Sequence, residues 1–260
     1  MSEHERPEAA VPKVCTLGDS HSRFFLESKF FAGRMGYRDA LPYRIEGEAI
    51  AAASVAGFRP RVSTLDVKET IRKALPRYEM AVLAFGQVDL ELGFYYRVAV
   101  KKEDIDPEEY TRWLAAIYGD FLDDLDVAGK RIALKGVNLT ALRPRAFAVR
   151  YVSRIVTQKA SLTPRERDRV VGPVILTEAQ QNRMHLSFNA KVRELAHSQG
   201  HQYFDLVAET ADGADGALSA TIPRLADRFL TAAFDHHLAD TVPVRRMHFE
   251  SVGRVFGLLA

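Results

Sequence analysis

The chain has very little cysteine and no long hydrophobic run. Cys15 is the only cysteine among the 260 residues, so no disulfide can form within the chain and no Cys-x-x-Cys pair can bind zinc. The first residues, Met-Ser-Glu-His-Glu-Arg-Pro-Glu, lack the apolar core that a secretory signal needs. No segment is long and apolar enough to cross a bilayer. These absences predict a protein of a reducing, cytoplasmic compartment without a membrane span.

An excess of charge of one sign is missing as well. Lys and Arg number 36 against 34 for Asp and Glu, and this balance does not indicate a nucleic-acid partner. Hydrophobic residues make up 47% of the chain, which at this length is enough to bury a sizeable core without disulfides or metals. We expect one α/β domain over residues 13–260, after a disordered tail over residues 1–12.

Short apolar runs alternate with helical patterns along the chain. The runs at 14–17, 79–85, 131–135 and 202–206 are typical of buried strands. Continuous apolar strands favour a parallel sheet that is covered on both faces. The alternation of strands and helices predicts βαβ units. We therefore expect a three-layer α/β/α sandwich with a mainly parallel central sheet of about five strands.

Capping signals indicate where the helices begin. Capping boxes open at Thr163 and Thr177, and Asp106 precedes a proline at a first helical position. Further helices are predicted over 66–75 and 249–259. The arginine-rich stretch 143–173 is the hardest to place, and we interpret it as an insertion on the common core. Its charges favour a solvated helical face over a surface for an anionic ligand.

A possible nucleophile follows the first strand in Leu17-Gly18-Asp19-Ser20-His21-Ser22. Ligands of open parallel sheets bind where the strands' carboxyl ends meet the following loops. A serine there can attack a carbonyl group, and the nearby helix N-terminus stabilises the negative charge that develops on the carbonyl oxygen. The alternative is that Gly-Asp-Ser forms only a turn.

The order of the sequence blocks resembles the SGNH (GDSL-type) hydrolase superfamily. Its members have a Gly-Asp-Ser block, a glycine block, a Gly-x-Asn-Asp block and a C-terminal Asp-x-x-His block. The resemblance implies an SGNH-like fold with a flavodoxin-like strand order, and it assigns the nucleophile and one oxyanion N–H to Ser20. Gly57 stands for the glycine block, and Asp19 and His21 flank the nucleophile as oxyanion or substrate-binding residues. For His21, a plain surface position is the alternative.

The third block departs from the family pattern. Gly86 and Asp89 match it, but Val88 occupies the position of the asparagine and cannot donate a side-chain hydrogen bond. We expect Gln87 to supply that donor from the neighbouring position. The block is similar to the Gly-Glu-Ile-Asp block of SGNH-like proteins that are often linked to polysaccharide synthesis.

The base can be placed at either of two histidines. Asp235 lies two residues before His237 instead of three, whereas His248 has Arg245 at the third position before it. The base is therefore His237 oriented by Asp235, or His248 with an acid from elsewhere, such as Asp235 or Asp240. The concentration of suitable groups in Asp-His-His-Leu favours His237. No metal site is predicted, because no carboxylate or thiol spacing accompanies the His-His pair.

These residues together predict serine-dependent acyl-ester chemistry. The enzyme would be an esterase or an O-acyltransferase acting on a carbohydrate or a related small substrate. No cofactor is expected, except an acyl donor such as acetyl-coenzyme A for a transferase. For Tyr95 and Tyr96, packing is favoured over stacking on a sugar. The alternative function is a catalytically inactive SGNH-like binding or accessory protein in polysaccharide biosynthesis; nothing indicates the oligomeric state.

Overall fold

A five-stranded parallel sheet forms the centre of the protein. The computed structural model describes residues 11–26, 41–60, 65–158, 161–213 and 222–259. The strands are β1 (Lys13–Gly18), β2 (Arg44–Ala49), β3 (Met80–Ala84), β4 (Arg131–Lys135) and β5 (Gln202–Phe204). Their order is β2-β1-β3-β4-β5 and every pair is parallel. The predicted α/β/α fold and its flavodoxin-like strand order are confirmed.

Helices cover both faces of the sheet. The α-helices are α1 (Val67–Ala74), α2 (Pro107–Asp123), α3 (Arg145–Val156), α4 (Pro164–Val171), α5 (Glu178–Ser198), α6 (Val207–Thr210) and α7 (Val242–Val255). Short 3-10 helices occupy Ser20–Phe25, Val55–Phe58, Leu75–Arg77, Gly172–Val174 and Asp227–Phe229, and π-helices occupy Asp89–Gly93 and Tyr96–Val100. The predicted capping boxes at Thr163 and Thr177 are both formed. None of the helices in the described ranges is long and apolar enough to cross a membrane.

Successive strand residues pack into two separate cores. Cys15 and Leu17 of β1 point into the larger core, which α2 and α5 cover. Val14 points to the opposite face, where Phe249 and Val252 of α7 close the smaller core. This alternation follows from the period of two along a strand, and it explains why β1 is buried on both faces from its second residue onward.

The stretch at 143–173 forms α3 and α4, which join the larger core through Val152 and Val171. Two of its arginines bind residues outside the stretch. Arg143 pairs with Glu178 and Asp227, and Arg145 donates to the carbonyl of Ile175. These arginines brace the fold, while the interpretation of the stretch as an insertion stays a prediction. Residues 1–10 of the expected tail lie outside the described residues.

Candidate active site

Ser20 lies at the carboxyl end of β1, where the chain turns into the helix Ser20–Phe25. Gly18 is required there, because a Cβ atom would lie 2.4 Å from the Ala84 carbonyl oxygen on β3. Asp19 caps the helix: its Oδ1 accepts the His21 N–H at 2.9 Å, and its Oδ2 lies 3.4 Å from the Val88 nitrogen. The backbone thus fixes Ser20 at the point where β1 and β3 end.

This geometry gives Asp19 a structural task. The carboxylate is buried, and burial raises its pKa while the hydrogen bonds from His21 and Val88 oppose that rise. Since its oxygens face backbone N–H groups, Asp19 positions the serine turn, and its expected contact with a substrate or oxyanion stays a prediction.

A chain of hydrogen bonds joins Ser20, His237 and Asp235. The Ser20 Oγ lies 2.8 Å from His237 Nε2, and His237 Nδ1 lies 2.5 Å from Asp235 Oδ1. The two-residue spacing suffices because Asp235 Oδ1 also accepts the His236 N–H at 2.8 Å, which turns the carboxylate back toward the ring. These distances are those of a nucleophile, a base and an orienting acid.

The surroundings of the two side chains set the charge of His237 and of Asp235. Burial lowers the pKa of His237 below its usual 6.5, and the hydrogen bond to Asp235 opposes this only in part. For Asp235, burial would raise the pKa, but the hydrogen bond to His237 and the nearby positive charges hold it below its usual range. Arg23, whose Nη2 lies 3.6 Å from Asp235 Oδ2, is one of these charges. The resting site therefore holds a neutral imidazole beside a carboxylate, which is the state that general-base chemistry requires.

His248, the other candidate base, belongs to the core. Its Nδ1 lies 2.7 Å from the Val244 carbonyl in its own helix, and its ring packs against Phe24 and Phe25. Burial lowers the pKa of His248 to about 3. The alternative acid Asp240 is bound by the guanidinium of Arg245. The hypothesis of a base at His248 is wrong in this structure, because its ring packs against phenylalanines and not against Ser20.

Glu91 connects the site to the third sequence block. This side chain is fully buried, and its Oε2 lies 2.8 Å from His236 Nδ1. Its Oε1 accepts hydrogen bonds from Gln87 and Thr140. Burial alone would raise the pKa of Glu91, but the bond to His236 leads the effects that hold it at about 2. Glu91 was not among the site residues predicted from the sequence, although its position two residues after Asp89 in a buried block was a usable signal.

Gln87 does not supply an oxyanion donor. Its Nε2 donates to Glu91 Oε1 at 3.1 Å and to the Asn138 carbonyl at 3.3 Å, and its Oε1 accepts the Asn138 N–H at 2.7 Å. An amide nitrogen has two hydrogens, and both are used here. The prediction for Gln87 is corrected: the residue joins the loop after β3 to the loop after β4.

Replacing Gln87 with alanine is therefore expected to act on stability. The change removes a buried partner of Asn138 and of Glu91, so we expect a loss of about 1–3 kcal/mol in the free energy of unfolding. Urea denaturation measures that loss. Gln199→Ala, which removes an exposed contact to Asp123, serves as the control and should cost less than about 0.5 kcal/mol. Unchanged stability in Gln87→Ala would contradict the structural role.

The remaining members of the second and third blocks also have structural tasks. The Gly57 N–H donates to the Ser54 side chain at 3.1 Å, so it does not face Ser20 as an oxyanion donor. Asp89 accepts the N–H groups of Val55 and Ala56, and burial raises its pKa to about 7. Asp89 thus holds the 55–58 turn, and it also lines a cavity that includes Val88 and Tyr96, so its expected role as an oxyanion or substrate-binding residue stays a prediction.

Gly86 also has a structural task. It has φ +118°, and a Cβ atom there would lie 2.5 Å from the Phe188 ring. Its conformation and the close approach of Phe188 favour glycine in the turn after β3, while its expected role as an oxyanion or substrate-binding residue stays a prediction.

A cavity of about 660 Å³ opens beside this region. Val88, whose nitrogen faces Asp19, lines it together with Tyr96 and Trp113. The guanidinium of Arg97 stacks over the Trp113 ring at 4.1 Å. The volume lies in the range of small-molecule sites. Tyr96 is 42% exposed, whereas Tyr95 is buried and bonded to Gln181, so only Tyr96 is placed to meet a ligand.

Comparison with known proteins shows the fold but no close relative. No family model and no curated protein sequence matches the chain. A protein assigned as an acylhydrolase, from Bacteroides fragilis, matches with 10% identity and a TM-score of 0.52 over 99% of this chain and 93% of its own. A GDSL-like lipase from Bacteroides thetaiotaomicron has 9% identity and a TM-score of 0.51 over 96% of this chain and 92% of its own. A carbohydrate acetylesterase from Sinorhizobium meliloti has 15% identity and a TM-score of 0.51 over 95% of this chain and 100% of its own.

These structures confirm the predicted α/β/α fold, which they share with this chain. Fold alone does not fix a reaction, because the chemistry depends on the residues of the site.

Proposed function

We propose that this protein is a serine esterase with Ser20 as the nucleophile, His237 as the base and Asp235 as the orienting acid. The observation that supports the proposal is the continuous path from Ser20 Oγ through both ring nitrogens of His237 to Asp235, with steps of 2.8 and 2.5 Å. A serine hydroxyl becomes an effective nucleophile only when such a base accepts its proton.

The reaction follows from this arrangement. Ser20 Oγ attacks the ester carbonyl while its proton passes to His237 Nε2. The tetrahedral intermediate collapses, the alkoxide leaves with that proton as an alcohol, and an acyl group remains on Ser20. Water then repeats the sequence and releases the acid. The Asp235 carboxylate stabilises the imidazolium that forms in both halves.

The Ser20 N–H is the first oxyanion donor in this proposal. Of the three donors predicted from the sequence, it alone is not used by another group in the part of the chain that the structure describes. It lies at the start of a helix, where N–H groups have no intrahelical acceptor. A set with so few oxyanion donors is the one observation that supports a second candidate function, an inactive binding or accessory protein.

The proposed substrate is an acyl ester of a carbohydrate or a related small molecule. The cavity beside Val88 offers the exposed ring of Tyr96 and the guanidinium groups of Arg59 and Arg97. An aromatic ring and cationic donors suit a polar ligand with hydroxyl or anionic groups. Hydrolysis needs no cofactor, whereas transfer to a sugar hydroxyl would need an acyl donor such as acetyl-coenzyme A.

A fluorophosphonate probe and p-nitrophenyl acetate test the proposal together. We expect one probe molecule per chain on the Ser20 peptide, found by mass spectrometry, and hydrolysis of the acetate that the probe abolishes. Absence of both labelling and hydrolysis from mildly acid to mildly basic pH would refute the esterase and support the accessory protein.

The pH profile gives a separate prediction. Only neutral His237 can accept the serine proton, and burial lowers the pKa of this ring. The value of kcat/KM should therefore rise with pH through a midpoint below 6.5 and be level at neutral pH. Initial rates from acid to neutral pH measure that midpoint. A midpoint above 7 would show that another group is the base.

A further inference from the structure

Three histidines from opposite ends of the chain meet beside Ser20. They are His21, His236 and His237, and each offers a ring nitrogen within 4.8 Å of the other two. The ring centroid of His21 lies 4.5 Å from that of His236 and 4.1 Å from that of His237. All three side chains are buried. Sequence spacing could not show this cluster, since over two hundred positions separate His21 from the pair.

His21 is the unusual member of the cluster. Its side chain is only 5% exposed, yet neither ring nitrogen makes a hydrogen bond in the described part of the chain. The nearest acceptors are carboxylates: Asp19 Oδ1 lies 3.3 Å from Nδ1 and Glu91 Oε2 lies 3.8 Å from Nε2, without hydrogen-bond geometry. A buried imidazole that makes no hydrogen bond is costly, because its polar atoms have lost water without full replacement. Its ring packs directly on His236 and His237, so it belongs to the cluster itself.

The outer nitrogens of the other two rings are held by carboxylates. Glu91 Oε2 binds His236 Nδ1 at 2.8 Å, and Asp235 Oδ1 binds His237 Nδ1 at 2.5 Å. In both rings Nε2 is then the nitrogen left for an inner ligand. A carboxylate on the far nitrogen is the usual partner of a metal-binding histidine, because it fixes the tautomer and the ring orientation.

We propose that His21, His236 and His237 form a binding site for a Zn²⁺-class divalent ion, with Glu91 and Asp235 as the carboxylates behind two of the ligands. Three imidazoles with a fourth position open to water or a ligand are a known zinc arrangement, and nitrogen ligands suit Zn²⁺, Co²⁺ and Ni²⁺. Nitrogens at about 2.0–2.1 Å from zinc lie about 3.4 Å apart in a tetrahedral site. The cluster must therefore contract, and the stacked His21 and His237 rings must turn toward a common point.

The site shares His237 with the serine. His237 Nε2 now contacts Ser20 Oγ at 2.8 Å, and the same lone pair cannot accept the serine proton and bind a metal. On the basis of the proposed esterase function, the ion therefore inhibits hydrolysis by withdrawing the base. Binding of the ion itself does not depend on that function.

Metal titration of the untagged, chelator-treated full-length chain tests the site. Isothermal titration with zinc chloride should give one ion per chain, and Co²⁺ should give the intense visible absorption of a tetrahedral complex. His21→Gln and His236→Gln should weaken binding by more than about a hundredfold, and Glu91→Gln by about 10–100-fold. His197→Ala removes an exposed histidine of α5 and should leave the affinity unchanged.

Two further measurements keep the outcomes distinct. Thermal melting shows whether each variant folds, and Ser20→Ala should retain zinc binding although it lacks the proposed nucleophile. Failure of the folded wild-type chain to bind one ion, or equal binding by the folded His21→Gln and His236→Gln variants, would overturn the site. If the protein hydrolyses p-nitrophenyl acetate, one equivalent of zinc should inhibit it; an increase in rate would refute the competition for His237 and leave the binding site standing.

Discussion

Replacement of Ser20 with alanine is expected to lower the rate of ester hydrolysis by at least about three orders of magnitude, the scale seen when one member of a catalytic triad is removed. The covalent route disappears, because no other hydroxyl in the described residues contacts His237 Nε2. The fold should persist, since within the described residues the Ser20 side chain makes no hydrogen bond other than the one to His237. Steady-state kinetics with p-nitrophenyl acetate, together with circular dichroism, measure the two effects.

Ser22 provides the matched control for this substitution. It lies two residues further along the same motif, but its hydroxyl donates to the Asp19 carbonyl at 2.8 Å and is buried. Ser22→Ala should cost about 1 kcal/mol of stability and keep the rate within about tenfold. If Ser20→Ala retained more than about a tenth of the activity, or if Ser22→Ala lost as much, Ser20 would not be the nucleophile.

Most of the sheet could be predicted from the sequence because its inner strands are buried on both faces. The runs that became β1, β3 and β4 have apolar centres, and such centres are what a covered parallel strand produces. The strand β2, Arg-Ile-Glu-Gly-Glu-Ala, was missed because it lies at the sheet edge and is largely solvent-facing. Its hydrophobic signal is a single buried isoleucine, Ile45.

The candidate site was predictable only where neighbouring residues act together. Asp235 and His237 stand close in the sequence, so their pairing could be proposed from spacing. The task of Gln87 depends instead on where two loops meet in space, since its amide donates to the Asn138 carbonyl, 51 positions away along the chain. The same is true of Glu91, whose partner His236 lies 145 positions away along the chain.

The two histidines considered as the base should respond to substitution in opposite ways. His237→Ala removes the only ring nitrogen at hydrogen-bond distance from Ser20 Oγ in the described residues, so hydrolysis should fall by about four to six orders of magnitude. Asp235 remains 27% exposed on its side chain and can be hydrated after the loss of its partner, so stability should change little.

His248→Ala should show the reverse pattern. This ring is fully buried between Phe24 and Phe25, and its removal leaves a cavity that we expect to cost about 2–5 kcal/mol in the free energy of unfolding. Hydrolysis per folded molecule should stay within about tenfold of the wild type.

Chemical rescue distinguishes a missing base from a distorted site. Free imidazole can enter the space that His237→Ala creates and accept the Ser20 proton, so it should restore part of the hydrolysis rate in that variant and none in Ser20→Ala. The recovered rate should depend on the concentration of neutral imidazole and therefore rise with pH around the pKa of imidazole itself. A His237→Ala variant that keeps its activity, or a His248→Ala variant that is folded but inactive, would move the base to α7. In that event the hydrogen bond between His237 and Ser20 would have no catalytic role.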